Sequence, residues 1–202
     1  MTRDEMWERM CSVWSVESDA VAQLARDIDR EAAIRIVETL AHCKGKILTA
    51  GVGTSAAAAR KIAHSLCCVE SPALFLSPGD GVHGGLGAVQ EEDVVIAISK
   101  GGGTGEIVRL LPAIKAKGAT LIAVTENEDS ELARAGDIVL KVKVEKEADT
   151  LNMLATASTM AVTAAFDAIA VALMIHTGYS RDQFKIIHPG GAVGERLTGG
   201  KA

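Results

Sequence analysis

The chain has 202 residues, 48% of them apolar and 23% charged, which is the make-up of one folded domain and not of a disordered segment. Only 3% are aromatic and the formal net charge is −5, with no run of Lys or Arg, so neither a base-stacking surface nor a basic stripe for nucleic acid is present. The four cysteines (Cys11, Cys43, Cys67, Cys68) lack metal-ligand spacing, so no metal and no disulfide are expected.

The opening MTRDEMWERM is too charged for a signal peptide, and residues 4–24 read as a helix. A second helix over 30–43 places Ile34, Val37, Leu40 and Ala41 at helical spacing. Short apolar runs then alternate with helices. Strands are expected over 46–50, 73–77, 93–99, 120–125 and 138–143, with helices over 55–69 and 104–117 between them. Pro112 falls inside the second of these helices and should kink it, and Gly118 suits its end. The apolar stretch 160–175 contains Thr163 and Asp167 and falls short of the ~20 residues a bilayer needs. It is expected to be the centre of a buried helix over 156–177, in a cytoplasmic protein with no membrane partner. A tail containing HPGGAVGERL follows.

Strands separated by helices form βαβ units and hence a parallel sheet covered on both faces. The expected fold is α/β, a three-layer αβα sandwich with a five-stranded parallel sheet in the flavodoxin-like order 2-1-3-4-5. Residues 1–202 are expected to form a single domain, with N-terminal helices over 1–43 and the αβα core over 44–197.

In such sheets ligands bind where the strand order reverses, at the carboxyl ends of the first and third strands. Both ends carry glycine-rich loops. Gly51, Gly53, Thr54 and Ser55 follow the first strand, and Ser99, Lys100, Gly101, Gly102, Gly103 and Thr104 follow the third. Free backbone amides, helix starts and hydroxyls in one crevice suit a phosphate group. A dinucleotide fits less well. Gly51, Gly53 and Ala56 only approximate the GxGxxG pattern, and the second strand runs into Ser77 and Pro78 without the acidic residue that would hold a ribose.

These segments in this order resemble the sugar-isomerase (SIS) domain family, and within it the arabinose-5-phosphate isomerases. The similar stretches are GKILTAGVGTS, HGGLG, DVVIAIS with its Gly/Thr loop and Glu106, VEKEAD, ASTMAV, DAIAVAL and HPGGAVGERL. The resemblance implies aldose–ketose isomerisation of a small-molecule sugar phosphate without a cofactor, in a homo-oligomer, a tetramer built as a dimer of dimers. Many relatives carry a C-terminal pair of CBS modules, and none is expected here. It also implies that Ser55, Ser99 and Thr104 bind phosphate, that Glu106, Glu147 and His188 are catalytic, and that His83 reaches toward a neighbouring subunit's site.

Four positions depart from the family pattern. Thr54 stands where relatives have lysine, Gly101 and Gly103 stand in the phosphate loop where they have serine and glutamate, and Gly85 stands where they have aspartate. Without the resemblance, Glu106 is a carboxylate suited to a helix's first turn, and Glu147, beside Glu145 and Lys146, reads as a solvated residue. His188 precedes Pro189 and is expected in an extended loop. Lys100, at the lip of the phosphate loop, either supplies the cation missing at Thr54 or points to solvent. A phosphosugar sensor without catalysis is the competing reading. The N-terminal helix carries Trp7, Trp14 and Val21 at seven-residue spacing, a stripe expected to pack between subunits.

Overall fold

The computed structural model describes residues 1–190. Two helices, α1 (Arg3–Asp27) and α2 (Arg30–Ala41), precede the sheet. Alternating elements follow: β1 (Ile47–Gly51), α3 (Thr54–Cys67), β2 (Ala73–Phe75), α4 (Pro78–Gly81), β3 (Val94–Ile98), α5 (Gly105–Val108) and α6 (Leu111–Ala116). The chain continues through β4 (Thr120–Thr125), α7 (Glu131–Ala135), β5 (Ile138–Lys141), α8 (Ala157–His176) and α9 (Arg181–Ile187). All pairings are parallel and the strand order is 2-1-3-4-5, as expected.

Alternation along each strand sorts the core into two layers. Ile47, Val94, Ile96, Ile98, Ile122, Val124, Ile138 and Leu140 face α1, α2, α3 and α8. Leu48, Ala50, Val95, Ala97, Leu121 and Ala123 face Ile107 of α5, Leu110 between the two helices, Leu111 and Ile114 of α6, and Leu132 of α7. The three central strands β1, β3 and β4 have no solvent face, so their inner residues form the near-continuous apolar runs seen in the sequence.

Helix α8 has the length and apolar composition of a membrane span, longer than the sequence count of 160–175 suggested. It is packed against α1, α2 and α3 and buries Ala157, Ala161, Ala165, Phe166, Ile169, Ala170 and Leu173. Alanine at every fourth position allows close approach to Ala59 and Ala63 on α3. One of its faces stays open, with Met160, Val171 and Ile175 exposed.

Several boundaries differ from the sequence expectation. The helix expected over 104–117 is two pieces, because Pro112 has no N–H to donate and occupies the first turn of a new helix, α6. The second strand stops at Phe75, since Ser77 accepts from the Asp80 amide (3.3 Å) and caps α4. Helix α9 lies in what read as a tail; it begins at a capping box in which Ser180 and Gln183 bond reciprocally. At the amino ends of the strands, buried Asp93 accepts from the Lys46 amide (2.9 Å), the Lys46 ammonium (2.7 Å) and the Gln90 amide (2.8 Å), tying β3 to β1.

Candidate active site

The strand order reverses between β1 and β3, where Gly51 pairs with Ile98. Gly51 has no room for a side chain, since a Cβ there would lie 2.5 Å from the Ser55 carbonyl oxygen. Gly53 precedes α3 with φ +60°, a conformation that favours glycine, and the helix has no side-chain cap. The first amides of α3, at Thr54 and Ser55, are therefore open toward the crevice beside their own hydroxyls.

The loop after β3 is held from several sides. The Ser99 amide donates to the Val124 carbonyl (3.0 Å), and Ser99 Oγ accepts from the Gly102 amide (3.1 Å) while lying 2.8 Å from Thr104 Oγ1. Gly102 has φ +68°, and a Cβ there would run into the Ser130 side chain. Gly101 and Gly103 face open space. Thr104 occupies the N-cap position of α5 but makes no side-chain capping bond. Its hydroxyl is turned to Ser99, so it braces the loop instead of capping the helix. Glu106 is exposed in the first turn of α5.

Lys100 and Glu147 meet, although 47 residues separate them. The Lys100 carbonyl accepts from Thr125 Oγ1 (2.8 Å) and the Glu126 amide (2.9 Å), which fixes the backbone between the two strand ends. Its ammonium lies 2.7 Å from Glu147 Oε1. The Glu147 side chain is 1% exposed and that of Lys100 43%. The carboxylate also accepts from Ser158 Oγ, from the Ser158 amide (3.2 Å), and from the amide (3.0 Å) and hydroxyl (3.4 Å) of Thr156. Burial pushes its pKa up, but Lys100, Ser158 and the amides at the start of α8 outweigh this and bring it down to about 2. The sequence reading of Glu147 as a solvated residue is thus corrected. Glu147 reaches inward because α8 begins beside it and offers unpaired amides.

A cavity of about 80 Å³ lies here, lined by Thr54 and Ser55 of α3, Lys100, Thr125, and Ser158 and Thr159 of α8, among others. It is far smaller than the roughly 300–1,000 Å³ of typical ligand pockets, and so has room for no more than one end of a small molecule. Of the described residues lining this cavity, Lys100 alone is charged.

The two histidines fall elsewhere. His83 is exposed in the turn after α4, its amide donating to the Asp80 carbonyl (3.0 Å). A Cβ at Gly85 would come within 3.0 Å of that same carbonyl oxygen, which explains a glycine there. His188 is not in an extended loop but at the C-cap of α9; its ring stacks on Phe184 at 3.9 Å and Nδ1 lies 3.0 Å from the Phe184 carbonyl. Helix α9 is tied through Gln183 to Glu70, beyond the end of α3 and before β2, so the single chain places His188 at the other end of the sheet from the loops. The GAVGERL part of the tail, from residue 191 on, lies outside the described residues.

Thr156 and Ser158 hold the site's buried carboxylate, yet nothing in the sequence reading assigned them a role. The available signal was a run of hydroxyl residues opening a helix after the last strand. No group of three His, Cys, Asp or Glu residues suited to a metal occurs among the described residues.

A model of the SIS domain matches residues 39–174. The crystal structure of a candidate sugar-phosphate isomerase from Listeria monocytogenes superposes with a TM-score of 0.93 at 51% identity, covering 94% of this chain and 100% of that one. The Escherichia coli CFT073 protein c3406, solved in complex with arabinose 5-phosphate, gives 0.89 at 32% identity, with coverage of 94% and 100%. Arabinose 5-phosphate isomerase KdsD of Escherichia coli K12 is 40% identical over 185 residues, which is 92% of this chain. The chain spans about half the length (56%) of that relative.

Proposed function

The chain belongs to the SIS domain family, and on that premise we propose that it is a sugar-phosphate isomerase that interconverts an aldose and a ketose through a cis-enediol. The observation that carries this reading is the pairing of two glycine-built loops at the reversal point, with the hydroxyls of Ser55, Ser99 and Thr104 beside unpaired amides. That arrangement suits a phosphate dianion. The relation to KdsD and to a protein solved with arabinose 5-phosphate supports a pentose phosphate as the first substrate to test.

The reaction needs a base near C1 and C2, a donor for the developing oxyanion and a fixed phosphate. Glu106 suits the base better than Glu147, because it is exposed beside the phosphate loop while every face of the Glu147 carboxylate is already occupied. His188 and His83 belong to this reading as groups brought from a second copy, His188 assisting ring opening or proton shuttling, in a cytoplasmic homotetramer.

The test is turnover of C5 to C7 aldose phosphates together with thermal shift. Isomerisation of one of them supports the enzyme. Stabilisation by a sugar phosphate with no turnover favours the phosphosugar sensor, which Thr54 at the family's lysine position would suit.

A further inference from the structure

We infer that Lys100 is the cation that receives the negative charge developing on the sugar's reacting oxygen, and that Glu147 is the positioning residue that holds it there. This rests on the isomerase reading above. Three features of the site carry it.

First, a phosphate dianion and an enediolate would share a crevice in which backbone amides supply only partial charge. Among the described residues, Lys100 is the one charged side chain lining the cavity between α3 and α8. Second, its direction is set. The backbone of Lys100 is pinned by Thr125 and Glu126, and its side chain runs toward Glu147 and the start of α8. Gly101 to Thr104 do not line that cavity; they continue toward α5 on the opposite face of the sheet. A ligand whose phosphate sits on this loop would extend its sugar end past the ammonium. Third, among the described residues Glu147 takes one of the three ammonium donors, and the other two can turn to a ligand.

Glu147 itself is not equipped to move protons. Both of its oxygens accept hydrogen bonds from Lys100, Ser158 or Thr156, and its low pKa makes it a weak base toward a carbon acid. What it does instead is hold a lysine that would otherwise be free to swing into solvent.

The step balances without an added reactant. Glu106 takes the proton from C2, the C–H pair becomes the C1=C2 bond, and the carbonyl π pair moves to O1, where the Lys100 ammonium stabilises it. Return of that proton to C1, with transfer of the O2 hydroxyl proton to O1, leaves the carbonyl at C2.

The experiment compares the full chain with Lys100→Met, Lys100→Arg, Glu147→Gln and the Lys100→Met/Glu147→Gln double variant, using arabinose 5-phosphate and the other C5 to C7 aldose phosphates. Inorganic phosphate is the separate binding probe. Lys100→Met is expected to lower kcat at least tenfold, with KM and phosphate affinity changed less than about threefold, and Lys100→Arg to recover part of the loss. Glu147→Gln should lower kcat similarly but add less than twofold on top of Lys100→Met, as two residues acting as one unit do. Lys100→Met leaves the buried Glu147 carboxylate without its cation, so urea unfolding is run on every variant; the double variant, which removes both charges, and Lys100→Arg, which keeps the cation, report even where a single truncation fails to fold. Parental kcat in Lys100→Met overturns the role of Lys100 and leaves the isomerase reading intact. A parent that binds inorganic phosphate yet turns over no sugar phosphate overturns both.

Discussion

The hydroxyl of Ser99 lies 2.8 Å from that of Thr104, so the glycine-rich loop after β3 is closed on itself by a side-chain bond across five residues. This brace also gathers the Gly102 amide onto Ser99 Oγ. It sets the curvature of the backbone whose outward amides would meet a phosphate.

Thr104→Val keeps the bulk and removes the brace. Because Thr104 makes no side-chain cap to α5, the loss in stability should be that of one hydrogen bond, about 0.5–1.5 kcal/mol, read by urea unfolding. Affinity for the best sugar phosphate should fall by at least tenfold, about 1.4 kcal/mol, read by calorimetry. A variant that binds as tightly as the parent would place the phosphate elsewhere.

The glycines of this loop should separate into two kinds. Gly102→Ala forces an L-residue to φ +68° against Ser130 and should cost about 1–3 kcal/mol in strain, with further loss from the contact itself. Gly103→Ala adds a methyl to open space and should leave stability within about 0.5 kcal/mol. Its phosphate affinity should still drop, since the methyl stands where the ligand would approach. Equal melting temperatures for the two variants would contradict this.

Acid should loosen the joint between β1 and β3. Burial raises the Asp93 carboxyl, but the Lys46 ammonium and the amides of Lys46 and Gln90 outweigh it and hold it below its ordinary value. A depressed native pKa stabilises the fold above the unfolded value, near ~3.9, and that contribution is lost as pH falls through the native one. Asp93→Asn should therefore cost about 1.5–3 kcal/mol at pH 7. The gap to the parent should narrow below about pH 4 in unfolding curves. A gap that is constant with pH would show that the pair is not ionised.

Trp7 and Trp14 pack edge to face at 5.7 Å between ring centres, yet stay 56% and 52% exposed on α1. A pair of large aromatic rings left this open is expected to be covered by a second copy of the chain. Light scattering at micromolar concentration should give an oligomer, and Trp7→Glu with Trp14→Glu should reduce its mass. A monomeric parent would sink the expectation.

The periodicity of apolar residues determined the five strands, their parallel arrangement and the glycine loops at two strand ends, because a sheet buried on both faces leaves an unmistakable alternation with helices. It also determined that the loops carry hydroxyls suited to phosphate. Local chemistry misled wherever a side chain had a distant partner. Glu147 looked solvated because its neighbours Glu145 and Lys146 are charged, although its partner Lys100 lies 47 residues away. Only the tertiary structure brought the start of α8 and the end of β3 onto that carboxylate, and so decided that Lys100 points into the site and that His188 stands apart from it. The reason is physical: period and composition report which face of an element is buried, whereas an ion pair across 47 residues depends on how separate loops are stacked at the sheet's edge.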